Sequence, residues 1–150
     1  MTRAPDGSTR FKSKTAAVRR AVQYGDAWFP YLTDPEGFRQ SVKLVEAAAA
    51  EIGRDLETWP LTYAHNLFWS IGDDYEDALT VAAAGNQFGG HRREFSAKFD
   101  IVGTPEDCIR RTREYVDAGV QHFIVKPLAP SPTYLEHTER IAKEVIPYFR

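Results

Sequence analysis

Between Phe38 and Ile52 the apolar residues Phe38, Val42, Val45, Ala49 and Ile52 return every three or four positions, the spacing of one face of an α-helix about four turns long. The stretch "TDPEGF" before it places Thr33 or Asp34 at the cap, Pro35 at the first helical position and Glu36 in the first turn. Upstream, Val18, Ala21 and Val22 predict a shorter helix that Gly25 ends. Between Gly25 and Pro30, "DAWF" reads as a short strand, since aromatic residues suit an extended, half-buried segment. Leu61 to Ile71, aromatic and β-favouring with Gly72 behind it, is predicted as the central strand.

Asp73 or Asp74 caps a helix carrying Tyr75, Leu79 and Ala82 on one face, and "GNQFGG" breaks it. "HRREFSAKFD" reads as short helical pieces. "GTPEDC" repeats the starting grammar of "TDPEGF", and Ile109, Thr112, Val116 and Val120 then line one face until Gly119 stops the helix. His122 to Leu128 is a third strand. Ser131 and Pro132 open a last helix with Tyr134, Thr138, Ile141, Val145 and Tyr148 as its stripe. Strands separated by whole helices are parallel neighbours joined by right-handed crossovers, so the class is α/β with a parallel sheet.

Composition narrows this picture. Of 150 residues, 43% are apolar and 27% charged, the balance of a globular chain. A net charge of −2, with basic residues interleaved among acids, supplies no field to gather nucleic acid. Cys108 is the only cysteine, which excludes an intrachain disulfide and fits a reducing compartment; a cytoplasmic location is expected. No run approaches the ~18 apolar residues of a membrane helix. Residues 1–14 form a polar lead-in expected to be flexible, and 15–150 a single domain. His65, His91, His122 and His137 lack metal-type spacing, so no metal site is expected.

The run "AAVRRAVQYGDAWFP", its "DPEGF" helix and then "GTPEDCIRRTREYVDAGVQHFIV" resemble the C-terminal portion of the luciferase-like monooxygenase family, the flavin- and deazaflavin-dependent barrels, from about Ala16 to Val125. The resemblance implies a partial TIM (β/α)8 barrel, about three parallel β/α units plus a preceding helix. A whole barrel takes ~250 residues, so this chain reads as a closing part whose opening part is missing, with open edges that a homo-oligomer or an N-terminal barrel portion must cover.

The implied cofactor is reduced flavin mononucleotide or a deazaflavin of the coenzyme F-420 type, acting on a small organic substrate. Where the family carries a paired glycine before its first helix here, this chain has "RFKSKT". Ser13, Lys14 and Thr15, with Arg19 on the helix, still offer hydroxyls and cations to a phosphate; the competing reading is a capped helix with solvated cations. Trp28, Phe29 and His65 are the expected pocket residues, against the alternative that all three are core. Catalytic residues are not assignable. A second reading of different class is a non-catalytic α/β module that works through oligomerisation.

Overall fold

The computed structural model describes residues 2–3, 9–10 and 14–149. Two short strands, β1 (Thr2–Arg3) and β2 (Thr9–Arg10), pair antiparallel in a sheet of their own, a ladder that the composition of the lead-in did not announce. The order continues with α1 (Lys14–Tyr24), β3 (Ala27–Trp28), α2 (Pro35–Glu51), β4 (Thr62–Ile71), α3 (Tyr75–Gly85), α4 (Arg93–Phe99), β5 (Ile101–Gly103), α5 (Pro105–Asp117), β6 (His122–Pro127) and α6 (Tyr134–Arg140). A π-helical turn (Ile141–Val145) and a 3-10 turn (Ile146–Phe149) extend α6.

β4 is the spine of a four-stranded parallel sheet. It pairs with β3 at Ala27↔Thr62, with β5 at Trp69↔Ile101, and with β6 from Ala64↔His122 to Trp69↔Pro127. Thr62 N–H donates to Asp26 O at 2.9 Å and Gly72 N–H to Gly103 O at 3.0 Å, whereas Tyr63 O accepts from Gln121 N–H at 2.8 Å. Successive residues of a strand turn their amides to opposite edges, so β3 and β5 share one edge of β4 and β6 takes the other. The fold is therefore α/β, a partial (β/α) barrel with parallel strands alternating with helices.

Alternation along β4 also sorts the side chains. Leu67, Trp69 and Ile71 join Phe38, Tyr115 and Ile141 in the main core beneath α2, α5 and the chain's last turns. Val18, Val22, Trp28 and Val45 close a second core under α1. The opposite face carries Phe68, with Val102 and Leu128, and there α3 lays Ala78, Leu79 and Ala82 over the sheet. Ser70 Oγ fastens this cover by donating to Ala78 O at 2.8 Å.

The helix starts follow the expected chemistry. Asp34 caps α2 by accepting from Gly37 N–H at 2.8 Å, and Asp74 caps α3 from Glu76 and Asp77 N–H. Thr104 and Asp107 form a reciprocal capping box at α5. Two stripes differ from their expected faces. On α5 the buried residues are Cys108, Thr112 and Tyr115, with Val116 exposed: the buried stripe keeps Thr112 but is rotated by roughly a sixth of a turn from the predicted one, toward Cys108 and Tyr115. In the last helix only Ile141 and Val145 bury, while Tyr134 and Tyr148 face outward. The π turn explains Tyr148, since one wide turn shifts the register of everything after it.

Candidate functional site

In a barrel, the sheet face turned away from the helices faces the axis. Here that inner face is only partly covered, and its open part is framed by three segments. The register sets Asn66 beside Ile124 and Phe68 beside Lys126. Lys126 Nζ lies 5.0 Å from the centre of the Phe68 ring, a cation against an aromatic face. Gln87–Gly89, the single turn after α3, brings Phe88 to 5.8 Å from Phe68, and the loop after β3 brings Tyr31 edge-on to Phe88 at 5.6 Å. Ile124 is 44% exposed, Phe88 57% and Phe29 45%. Asn66 Oδ1 has no protein partner among the described residues. The result is an aromatic shelf with one ammonium and one carboxamide on it.

The loop that delivers Tyr31 is held from behind. Leu32 adopts a positive φ of 51°, a left-handed conformation that a bulky side chain disfavours. On the helix side of β4, His65 Nε2 lies 3.0 Å from Thr33 O and 3.1 Å from Thr33 Oγ1. A carbonyl only accepts, so the imidazole proton belongs on Nε2, leaving Nδ1 bare. The Tyr115 hydroxyl reaches Thr33 O at 3.1 Å and Phe99 O at 3.2 Å. His65 is stacked on Phe38 at 5.3 Å and meets Tyr115 edge-on at 5.4 Å. Burial lowers the His65 pKa, a shift that its hydrogen bond to Thr33 opposes only in part. Burial likewise pushes the Tyr115 phenol up.

Beneath the shelf, Asp100 is 2% exposed and accepts from Asn86 Nδ2 at 2.7 Å. Burial pushes its carboxyl up to about 6, despite that hydrogen bond. Burial first, and then the nearby Asp100 charge, raises the Tyr31 phenol. Asn86 also accepts from Phe88 and Gly89 N–H, so the Asn86–Asp100 pair fixes the turn that presents Phe88.

The residues singled out in the sequence do not assemble into one place. Trp28 turns to the helix side, where Nε1 donates to Ser41 Oγ at 3.0 Å, and His65 is buried on that side too. Ala27 and Phe29 alternate with Trp28 onto the inner face, which makes Phe29 the one of the three on the shelf side. Thr15 and Arg19 are exposed on α1, and Arg19 lies 3.6 Å from the Glu51 carboxylate. Ser13 and the Lys14 side chain lie outside the described residues. Tyr31, Phe88 and Lys126 went unrecognised in the sequence. The available signals were a lysine inside an otherwise apolar strand, "HFIVKP", and an aromatic residue set among glycines in "GNQFGG".

The sheet is parallel and its strands alternate with helices as in a (β/α) barrel, with α1, α2 and α5 on one face and α3 over part of the inner face. The family model described as luciferase-like monooxygenase matches residues 13–100, more than half of the 150 residues. The chain belongs to that family. Among solved structures it is similar to an F420-dependent secondary alcohol dehydrogenase, with a TM-score of 0.71 and 19% identity over 91% of this chain and 46% of the other. It is similar to a coenzyme F420-dependent tetrahydromethanopterin reductase from Methanopyrus kandleri, with a TM-score of 0.67 and 19% identity over 99% of this chain and 50% of the other. DmoA from Hyphomicrobium sulfonivorans matches with a TM-score of 0.61 and 16% identity over 96% of this chain and 40% of that one. The chain thus spans about half the length of these structures or less. A comparison with curated proteins found no match.

Proposed function

We propose that this chain is the C-terminal half of a luciferase-like oxidoreductase barrel, with its inner face as one wall of the site where a reduced flavin or a deazaflavin acts on a small organic substrate. The observation that carries the reading is the family match over residues 13–100 together with the exposed aromatic shelf on the inner face. The shelf fits the ring end of such a cofactor: aromatic faces stack on a planar heterocycle, while the Lys126 ammonium and the Asn66 carboxamide suit its carbonyl and N–H edge. When bound, that ring would supply the hydride or electron chemistry. This chain's residues would orient it and shield one side from water.

At the phosphate end the support is thinner in chemistry. α1 carries no acid in its first turn, so Thr15 and its neighbours leave the helix start open to an anion, yet the glycine cradle of the family is replaced by "RFKSKT". That replacement, with the uncovered sheet face, favours a second reading: a module that acts by associating with another chain. Such a partner would be a second copy or a separate N-terminal barrel portion.

Titration of the purified chain with flavin mononucleotide and, separately, a deazaflavin, followed by fluorescence quenching beside size-exclusion chromatography, decides between them. Saturable micromolar quenching is the expected result. A stable dimer with no quenching by either compound would establish the module reading instead.

A further inference from the structure

The left-handed Leu32 sits between the aromatic ring that closes one end of the shelf and a carbonyl gripped by two buried side chains. A bulky residue is disfavoured in this conformation, and it persists only where the surroundings over-determine it. The surroundings here can be named. His65 Nε2–H and the Tyr115 hydroxyl both reach Thr33 O, the carbonyl directly after Leu32, at 3.0 and 3.1 Å. Neither donor is itself adjustable, because His65 is clamped between Phe38 and Tyr115, and the Tyr115 ring is fully buried. The clasp lies on the helix side of β4, whereas the residue it aims, Tyr31, lies on the inner side against Phe88.

We propose that His65 and Tyr115 are positioning residues that hold the β3–α2 loop in its strained form, so that Tyr31 closes the shelf at a fixed distance and sets the planar ligand it admits. The ligand part rests on the reading of the shelf as the cofactor wall. The geometry assigns His65 a role different from a pocket residue: it acts through the Thr33 carbonyl and does not touch the ligand. Released from the clasp, the loop relaxes Leu32 to an ordinary right-handed or extended form, and Tyr31 leaves Phe88.

The test uses the chain with His65→Gln, His65→Leu and Tyr115→Phe, amide exchange over Tyr31–Asp34, and flavin mononucleotide as the probe. Glutamine places an N–H where the imidazole Nε2–H stood; leucine keeps the bulk and loses the donor. His65→Leu and Tyr115→Phe are expected to speed exchange of the loop amides roughly tenfold, with the β4 and β6 amides unchanged, and to weaken flavin binding several-fold. His65→Gln is expected to stay close to the unsubstituted chain in both. Loop exchange unaltered in both donor-less variants, or equally fast in His65→Gln and His65→Leu, would overturn the clasp. Should the loop amides respond as expected while the unsubstituted chain gives no saturable flavin response, the clasp stands as a loop anchor, and the shelf reading falls together with its role in ligand choice.

Discussion

Asp100 carries the clearest titration in the molecule. Its folded pKa, raised by burial to about 6 from an ordinary 3.8, means that the folded state prefers the protonated acid. This group's contribution to stability is therefore fully present below pH ~4 and is lost as pH rises through about 6. A shift of about two units corresponds to on the order of 3 kcal/mol at neutral pH. Asp100→Asn keeps an acceptor for Asn86 without the charge. In urea unfolding between pH 4 and 7 it should gain on the unsubstituted chain as pH rises, by about 2–3 kcal/mol at pH 7, and match it near pH 4. Cys108 tells the opposite story from its position in the first turn of α5. Burial pushes the thiol up to about 12, and Sγ lies 3.7 Å from Gly103 O. Alkylation by iodoacetamide at pH 8 should be negligible in the folded chain and complete in urea.

Among the elements, α1 depends on a residue far from it in sequence. Arg54, 6% exposed, donates to the carbonyls of Val22 and Gly25 at the end of α1 and to those of Trp59 and Pro60, and its guanidinium lies 3.9 Å from the Trp59 ring centre. Arg54→Met keeps the aliphatic stem and leaves these acceptors short of donors, so thermal or urea unfolding should show a loss of about 3 kcal/mol. Gly103 is fixed by a different constraint. At φ 127° a Cβ would sit 2.6 Å from the Asp107 side chain, so Gly103→Ala should break the capping box of α5 and cost about 2 kcal/mol or more by the same measurement.

The capped helices were legible because cap, proline and acid are neighbours in the chain, as at Asp34–Glu36 and Thr104–Asp107. β5 was not: three residues are too few to show a period, and Ile101–Gly103 is a strand only because β4 lies beside it. The shelf was illegible for the same kind of reason. Tyr31, Phe88 and Lys126 meet only when α3 folds back over the sheet, and the side of the sheet that Trp28 or His65 faces depends on a register that no local pattern states.

As a whole, the molecule has one face finished and one face open. β6 has β4 on one side and no strand on the other among the described residues, and Ile124 projects from it into the open. The chain should therefore associate as its concentration rises in analytical ultracentrifugation. Ile124→Lys should shift it toward monomer, with unfolding free energy changed by less than about 0.5 kcal/mol, as expected for a surface site.

The cover that α3 lays over Phe68 and Val102 also limits how a ring of strands could be completed around this sheet. With that end roofed and the far side occupied by α2 and α5, incoming strands have the flanks left unpaired among the described residues, that of β6 and the outer flanks of β3 and β5. Whatever closes the circle must therefore dock at both sides of this sheet and fit around the lid that α3 already lays over one end of it.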